Sequence, residues 1–552
     1  MKAFCFLASK QSKEHIVKMY KKSFKNIFLL DVLERFHLVA LDSNFAQQAT
    51  NTSLWDVPKP SCDLERSIYE SSSHSSGPNI QEKDTFLVDW NGPKDCENPL
   101  NWSRLKKGFV VFQVMLLTCA TYMGASIYTP GQEYIQHEFG VGHVVGTLNL
   151  SLYVLGYGLG PIVFSPLSEV ASVGRQQIYI VTLFFFMLFQ VGAATVKNIG
   201  GLLVIRFISG VLCSPSLATG GGTMGDIIKP EIVSVFIGLW AIGAVAAPVV
   251  APLLGAAMVQ AKGWRYDFWL LMWISAATLI LLVVFFPETQ HQNILHRHAV
   301  RVRKETGDLR YYTRQERVDA EIKATSFMKE LFVRPFLIMA LEPAVLAFDI
   351  YIAVCYGAFY LFFEAFPLVF IGIYNFTLVE MGLAFLGFCI GCLLAYAALL
   401  VYLAKYIGPK FKNNTFTPED FLPLSMAVCW ALPLSLFMFG WTARVHWILP
   451  IIAEVFFVIN VFNLFQSAFA YLAFCYPRYL ASVFASNGFC RSVFACAFPL
   501  FGRAMYEKLG SEEYPVAWGS SLIGFCSIGL AVIPFFFYKF GPRMRGKSRY
   551  AN

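Results

Sequence analysis

The sequence predicts an all-α membrane protein in which twelve helical spans form two sets of six around a central cavity. Of its 552 residues, 56% are hydrophobic and only 14% are charged, whereas soluble domains carry roughly 25% charged residues. Apolar runs that are long enough to cross about 30 Å of hydrocarbon as helices recur from residue 108 onward. A polar break separates the first six runs from the last six.

The spans must be helices, because backbone polar groups in lipid have to be hydrogen bonded within the segment. We place them at residues 108–130, 144–165, 177–196, 200–222, 233–257, 267–286, 340–371, 379–404, 422–441, 447–473, 480–504 and 517–539. The first bundle then covers residues 101–286 and the second covers residues 336–540. A polar segment, 287–335, joins them, and tails 1–100 and 541–552 flank them.

The central segment, residues 287–335, sets the expected orientation. It contains about ten Lys and Arg residues, and short loops of this kind stay on the cytoplasmic side of a membrane. An even number of spans then places both termini in the cytoplasm. The first predicted outer loop, residues 131–143, contains no Lys or Arg, in agreement with this orientation.

The N-terminal tail contains no predicted span, and we expect most of it to be disordered. Residues 66–95 are polar and rich in Ser, a composition that cannot bury enough apolar surface to fold. In Met19–Phe36, apolar residues recur at helical spacing among basic ones. This stretch is either a helix on the membrane surface or a weakly structured tail.

The turn between spans 2 and 3 has an acid and a base bracketed by apolar runs. Its notable residues are Gly160, Glu169, Gly174 and Arg175. An acid at the inner end of span 2 can attract the positive N-terminal end of a facing helix and the basic residue of the loop. We therefore expect a charge latch between the two halves. The alternative is that these charges only fix the topology.

Spans 4 and 5 contain residues that are unusual in lipid. Arg206 lies inside span 4, where a charge costs roughly 3 kcal/mol on insertion scales. It is therefore either functional or extended to the outer membrane surface. Span 5, "AIGAVAAPVVAPLLGAAM", has small residues that allow close helix contact and prolines that bend the helix. The residues concerned are Gly243, Pro248, Pro252 and Gly255.

Two acids lie deep in the second half: Asp349, two turns into span 7, and Glu454 in span 10. A carboxyl group in a medium of low dielectric favours its neutral form, so it can take up and release protons. The alternatives are recognition of a cation and incidental polar lining of a cavity. Arg491 in span 11 is a candidate counter-charge.

Span 7 is also rich in aromatic residues, which suit a cavity for flat or cationic molecules. The candidates are Tyr351, Tyr356, Phe359, Tyr360 and Phe363. The alternative is that they face lipid. Other ionisable residues lie near span ends or in outer loops, where we expect ordinary surface positions. These are Glu133, Asp226, Glu342, Glu364, His143 and His446.

The six-plus-six plan with a long central loop is that of major facilitator transporters, and several segments carry a closer resemblance. They are "IYTPG" (127–131), "LSLYVLGYGLGPIVFSPLSE" (150–169), "PET" (287–289), "EPAVLAFDIYIAVCYGAFYLFFEAFPLVF" (342–370), "FGWT" (439–442), "RYLASVFASNGFCRS" (478–492) and "WGSSLIGF" (518–525). Together they resemble the fungal twelve-span drug:proton antiporter family of the major facilitator superfamily, in particular its caffeine- and fluconazole-resistance branch. The resemblance covers residues 88–540.

This resemblance implies the major facilitator fold and export of small, amphipathic or cationic toxic compounds across the plasma membrane, driven by inward proton flow. It implies a cavity lined mainly by spans 1, 4, 7 and 10, proton transfer by Arg206, and a cytoplasmic gate at Glu169 and Arg175. Span 5 departs from the family's antiporter motif, because Ala247-Pro248 and Ala251-Pro252 stand where that motif has Gly-Pro pairs.

Other function classes lack their motifs. The chain has no G-x-x-x-x-G-K-[ST] phosphate loop, H-E-x-x-H motif, nucleophile elbow or zinc-spaced Cys and His set. We therefore expect no enzyme activity, ATP use, cofactor, metal or nucleic-acid partner. The expected partners of the monomer are the lipid bilayer, protons and small molecules. Two alternatives stay open: a transporter of one metabolite or polyamine, in either direction, and a sensor that signals through the long N-terminal tail.

Overall fold

The computed structural model describes the backbone of residues 26–29, 86–230, 232–321 and 324–551, and the side chains of all of these except 319–331. The described residues contain twelve apolar helices long enough to cross a membrane. Spans 1 to 12 are Arg104–Phe139, His143–Glu169, Gly174–Thr195, Ile199–Ile227, Val233–Lys262, Arg265–Phe285, Pro343–Ile371, Leu378–Lys412, Pro418–Thr442, Ile448–Cys475, Pro477–Leu509 and Ala517–Arg545. Two isolated bridges are the only β-structure in the described part. The predicted fold class and number of spans are confirmed.

Six spans consist of several helical pieces, and Gly or Pro stands at several of the breaks because neither continues an α-helix well. Span 1 contains the short turns Met123–Ala125 and Thr129–Gly131 between Arg104–Tyr122 and Gln132–Phe139. The others are span 7 (Pro343–Phe366, Pro367–Ile371), span 8 (Leu378–Ala384, Leu386–Tyr402, Leu403–Ile407, Gly408–Lys412), span 9 (Pro418–Phe421, Leu422–Val428, Ala431–Thr442), span 11 (Pro477–Tyr479, Leu480–Leu509) and span 12 (Ala517–Leu530, Val532–Arg545).

The packing of the spans has an internal two-fold repeat. In the first half, span 2 packs on span 4, span 1 on span 5 and span 3 on span 6. In the second half the same pairs recur with six added to each number: 8 on 10, 7 on 11 and 9 on 12. The halves meet along two seams, spans 2 and 11 and spans 8 and 5, which are also exchanged by this operation. Span n of the first half therefore corresponds to span n + 6 of the second.

The central segment and the described parts of both tails lie at one end of the bundle, which we call the loop end. The opposite end, where span 1 joins span 2 and span 7 joins span 8, is the far end. The central segment forms the helices His291–Thr306 and Arg314–Glu321, and a third helix, Ala324–Leu341, leads to span 7.

Parts of the N-terminal tail are more ordered than its composition predicts. Val88 N donates to the Tyr312 carbonyl over 2.9 Å, and Tyr312 N donates to the Phe86 carbonyl over 3.0 Å. Residues 86–95 are thus held by the central segment, a long-range pairing that local composition does not contain. Within Met19–Phe36, only residues 26–29 are described. There the Asn26 carbonyl accepts from Glu288 N over 2.9 Å, and Ile27 is fully buried against the first half.

Candidate functional site

Arg175, at the start of span 3, forms an ion pair at the loop end. Its Nε donates to Asp226 at the end of span 4 over 2.6 Å. Glu288 follows span 6 and accepts from the backbone N–H groups of Arg175 and Gln176, both over 3.2 Å. Its carboxylate therefore caps the positive N-terminal end of span 3. Gly174 has a φ of 76°, which favours glycine, and a Cβ there would collide with Glu288.

In this structure these residues contact one another within the first half and its central-segment continuation, so the latch between the halves stays a prediction. The Glu169 side chain is exposed and forms no ion pair with another described residue. Asp226, which we expected at the membrane surface, is the acid that pairs with Arg175. Gly160 has a packing role: a Cβ there would collide with Ser214 of span 4. The turn therefore fastens spans 2, 3 and 4 to the central segment.

Arg206 is buried in the first half, with 1% of its surface exposed. Its Nε donates to the Asn149 carbonyl over 3.0 Å, and its Nη atoms donate to the Gly124 and Ala125 carbonyls over 2.6 and 3.0 Å. The last two carbonyls belong to the short turn that interrupts span 1. The guanidinium also lies 4.5 Å from the ring centre of Tyr153. Arg206 therefore does not extend to the membrane surface; it joins spans 1, 2 and 4.

The prolines of span 5 are stabilised by a neighbouring hydroxyl. Pro252 has no N–H and cannot donate to the carbonyl of Pro248, one turn earlier. Ser126 of span 1 donates to that carbonyl over 2.6 Å. A Cβ on Gly255 would collide with the Ile127 carbonyl of span 1, whereas a Cβ on Gly243 would meet only side chains at 3.6 Å. Span 5 thus packs tightly on span 1 at Gly255 and has room at Gly243.

Asp349 and Arg491 are not paired with each other. Asp349 is fully buried and accepts from the Ser486 hydroxyl over 3.0 Å and from Asn487 Nδ2 over 2.9 Å, both on span 11. The Arg491 guanidinium lies over the Tyr356 ring, 5.1 Å from its centre. Arg491 forms no ion pair with another described residue. The expectation that Arg491 neutralises a buried acid is therefore not met for Asp349.

Glu454 is fully buried near the far end of span 10. It faces span 8, where a Cβ on Gly387 would lie 2.7 Å from its Oε2. Among the described residues, neither carboxyl oxygen has a hydrogen-bond partner of normal geometry, although the backbone of Phe388 lies opposite. An ionised carboxylate in such surroundings is strongly disfavoured. Glu454 can therefore hold a proton and would need solvent or a rearrangement to release it.

A group of four tyrosines joins the halves at the middle of the bundle. We call Tyr122, Tyr157, Tyr356 and Tyr360 the tyrosine cluster. The Tyr157 hydroxyl is 3.1 Å from that of Tyr356 and 3.0 Å from that of Tyr360, and the Tyr360 hydroxyl donates to Tyr122 over 3.4 Å. The first two residues belong to the first half and the last two to the second.

The other predicted cavity aromatics do not take part in this cross-half contact. Phe359 packs edge to face on Phe388 of span 8 at 5.4 Å, and Phe363 stacks on Phe385 at 5.2 Å. Tyr351 is fully buried, and its hydroxyl has no partner. Of the five aromatic candidates in span 7, the structure therefore brings Tyr356 and Tyr360 to the seam.

A second polar contact joins the halves at the far end. Glu364 accepts from Thr147 Oγ1 over 3.1 Å, and one of its oxygens lies 2.8 Å from His143 Nε2. The Nδ1 atom of His143 lies 3.3 Å from Gln136 Nε2 and 3.5 Å from Arg503 Nη1. These donors make Nδ1 the acceptor, so Nε2 carries the proton that is donated to Glu364. We call His143, Thr147 and Glu364 the far-end lock.

The far-end lock was not expected from the sequence, although a signal was present. Glu364 and His143 were expected at ordinary surface positions, because Glu364 lies near the end of an apolar run and His143 in an outer loop. Tyr356, Tyr360 and Glu364 are spaced by four residues and so lie on one face of span 7. A continuous polar stripe on an otherwise apolar span indicates contact with another helix rather than with lipid. Asp267 in span 6, a buried carboxyl group without a partner, was also missed.

These contacts make the seam between the halves polar. The ring contacts beside it, between spans 7 and 8, are apolar. Hydrogen bonds between hydroxyl and carboxyl groups can exchange for bonds to water or to a bound molecule at little net cost. The seam can therefore open and re-form, whereas the tightly packed cores of the two halves cannot. Among the described residues no cluster of His, Cys, Asp and Glu has the geometry of a metal site.

Comparisons with known proteins agree with this geometry. A family model described as Major Facilitator Superfamily matches residues 114–499. "Fluconazole resistance protein 1" of Saccharomyces cerevisiae is 64% identical over 547 residues, which are 97% of this chain and 100% of that protein. "Multidrug transporter FLR2" of Candida glabrata is 60% identical over 482 residues, 87% of this chain and 82% of that protein. The solved proton:xylose symporter XylE of E. coli has a TM-score of 0.55 at 12% identity, covering 80% of this chain and 96% of that one, and so shares the fold.

Proposed function

The chain belongs to the Major Facilitator Superfamily, and from that premise we propose that it is a multidrug exporter that works by alternating access and is driven by protons. The names of its relatives support drug export, since the match to the fluconazole resistance protein extends over 97% of this chain. Its substrates would be small, amphipathic molecules that enter from the membrane or the cytoplasm.

The observation that supports proton coupling is the burial of Glu454 without hydrogen bonds of normal geometry. Glu454 is a fully buried carboxyl group whose oxygens have no hydrogen-bond partner of normal geometry among the described residues, in a half of the molecule that has to move against the other. A carboxyl group of this kind is neutral while it is buried and ionises when water reaches it. Protonation from one side and release to the other would then be tied to the movement of the halves.

The two cross-half contacts support alternating access. The far-end lock and the tyrosine cluster hold the halves together over the far end and the middle of the bundle. We propose that breaking these contacts opens the far end, and that they re-form as the loop end opens. With the loop end in the cytoplasm, as the basic central segment predicts, the far end opens to the outside. We further propose a monomer in the plasma membrane that needs no ATP or cofactor.

The test is transport into inside-out vesicles from a pump-deficient yeast that expresses this chain. With an acidic interior, labelled fluconazole should accumulate, and collapse of the pH gradient should abolish the accumulation. Glu454→Gln should accumulate no more than vesicles without the protein, while Glu513→Gln, which removes an exposed carboxylate between spans 11 and 12, should match the native chain. Fluconazole accumulation that is unchanged when the pH gradient is collapsed would exclude proton coupling. Flux in the opposite direction would make the protein an importer.

A further inference from the structure

We propose that the tyrosine cluster together with Arg491 forms a substrate site at the middle of the bundle, and that this site selects neutral or anionic aromatic compounds over cationic ones. The inference rests on the proposed transport function and adds the charge class of the substrate. It narrows the expectation from the sequence, which included both amphipathic and cationic substrates.

The five side chains converge from four spans at one level. Tyr157 lies in the middle of span 2, Tyr356 and Tyr360 in the middle of span 7, and Arg491 in the middle of span 11. Tyr122 joins them from the end of the first helix of span 1. Transporters of inverted or parallel repeats bind their substrates at this level, where the halves face each other.

The exposure of the side chains shows which face of the cluster is open. Tyr122, Tyr157 and Tyr360 are 4%, 2% and 0% exposed, whereas Tyr356 and Arg491 remain partly exposed. Beyond Tyr360, toward the far end, Glu364 closes the seam against His143. A molecule that approaches the cluster from its open face therefore meets Arg491 and the ring of Tyr356 first.

The positive charge of Arg491 is not neutralised by a contact. Within the described part of the chain, its Nε has no hydrogen-bond partner and its guanidinium forms no ion pair. The two acids of span 7 are held elsewhere: Asp349 by Ser486 and Asn487, and Glu364 by His143 and Thr147. Because a guanidinium does not lose its proton in proteins, the site presents a permanent positive charge.

This charge determines which molecules the site accepts. Like charges repel strongly in surroundings of low dielectric, so a cationic molecule is disfavoured beside Arg491. A carboxylate gains a charge-assisted hydrogen bond from the guanidinium, and a neutral carbonyl or ring nitrogen gains a weaker one. The tyrosine rings provide flat apolar contact, and their hydroxyls provide further donors and acceptors.

The experiment measures efflux of three xanthene dyes of similar size from pump-deficient yeast: anionic fluorescein, a neutral dialkylated fluorescein and cationic rhodamine. The native chain should export the first two and export rhodamine poorly. Arg491→Gln should lower fluorescein export roughly 10- to 100-fold, the effect of one lost hydrogen bond to a charged group. Export of the neutral dye should fall less, by about fivefold, since it loses only the weaker bond. Arg491→Lys should retain part of the preference for the anion.

Arg478→Gln is the matched control, because it removes one positive charge from the exposed loop end of the same span and should leave all three rates unchanged. A purely structural role for Arg491 would lower export of all three dyes together, and that result would overturn the proposal. Equal or better export of rhodamine by the native chain would also overturn it. If the native chain accumulates fluconazole in response to the pH gradient but shows no preference among the dyes, only this inference is contradicted. If it transports neither fluconazole nor any dye, the proposed function is contradicted as well.

Discussion

Arg206 and Glu454 occupy nearly equivalent positions in the two halves. Among the described residues, only Arg206 has hydrogen-bond partners of normal geometry. Arg206 is the eighth residue of span 4, and Glu454 is the seventh residue of span 10, the span that corresponds to it in the internal repeat. Both side chains are buried. Arg206 donates to three backbone carbonyls, whereas neither oxygen of Glu454 is hydrogen bonded.

The difference teaches that a charged residue in a span can serve two opposite purposes. A buried charge with all its hydrogen bonds made fixes the elements that it touches, because moving any of them leaves polar groups unpaired. A buried carboxyl group without partners is stable only while it is neutral, so its proton is what changes when the surroundings change. We therefore assign stability to the position in span 4 and proton coupling to the position in span 10.

The largest expected effect is on Arg206. Arg206→Met removes three hydrogen bonds and leaves three carbonyls without their donor. We expect the free energy of unfolding to fall by roughly 3–5 kcal/mol, because each buried carbonyl that loses its donor costs about 1–3 kcal/mol. Thermal unfolding of the purified protein in lipid nanodiscs measures this change. Arg444→Met, at an exposed position between spans 9 and 10, should change stability by less than about 0.5 kcal/mol. Equal unfolding temperatures for the two variants would show that the hydrogen bonds of Arg206 do not stabilise the protein more than an exposed arginine does.

Glu454→Gln should affect transport and leave stability intact. At one proton per substrate, a gradient of two pH units supports roughly a 100-fold concentration ratio, since each unit corresponds to about 1.4 kcal/mol. In the variant this ratio should fall toward one, because glutamine cannot take up a proton. Its unfolding temperature should match or exceed that of the native protein, since no hydrogen bond is lost. A large loss of stability with normal coupling would reverse the assignment.

Asp349 sharpens the comparison because it is an acid that does have partners. Asp349→Asn can still accept from Asn487 and donate to Ser486, so we expect stability to change by less than about 1 kcal/mol. Gradient-driven accumulation should be reduced much less than in Glu454→Gln. Asp349→Leu should cost roughly 1–3 kcal/mol, because Asn487 Nδ2 loses its acceptor, whereas the Ser486 hydroxyl can still donate to the Val483 carbonyl. If Asp349→Asn abolishes coupling and Glu454→Gln does not, the proton site lies at Asp349.

The smallest effect is expected at the partly exposed ion pair of Arg303 and Glu316 in the central segment. Partial burial acts to raise the pKa of Glu316, but hydrogen bonds from Arg303 and from the backbone N–H of Thr313 outweigh it and leave that pKa below its usual value. The pair should therefore stabilise the central segment above the usual range of a glutamate, about pH 4.3. This stabilisation should disappear as the pH falls through the lowered pKa of the folded protein.

Because Glu316 is about one-fifth exposed, we expect Glu316→Gln to lower stability by less than about 1 kcal/mol at neutral pH. The difference from the native protein should vanish in acid. Unfolding temperatures measured from pH 3 to pH 7 check this, with Glu513→Gln as the control for an exposed carboxylate that forms no ion pair with a described residue. If Glu316→Gln lowered stability as much as Arg206→Met, fully buried charged groups would not contribute more to stability than partly exposed ion pairs.

The sequence by itself determined the twelve spans, their division about residues 287–335 and the residue types that are costly in lipid. These features follow from local length and composition, because a helix that crosses hydrocarbon must be long and apolar wherever it stands in the bundle. For the same reason Arg206, Asp349 and Glu454 could be selected as candidates from the sequence, although their surroundings could not.

Only the tertiary structure decided which side chains meet. Arg175 pairs with Asp226, 51 residues away, and His143 pairs with Glu364, 221 residues away. Such contacts depend on the rotation and tilt of each helix, which hydropathy does not fix. The same rotation gave Arg206 three carbonyls and left Glu454 with none, so the roles of two equivalent positions were set by packing rather than by composition.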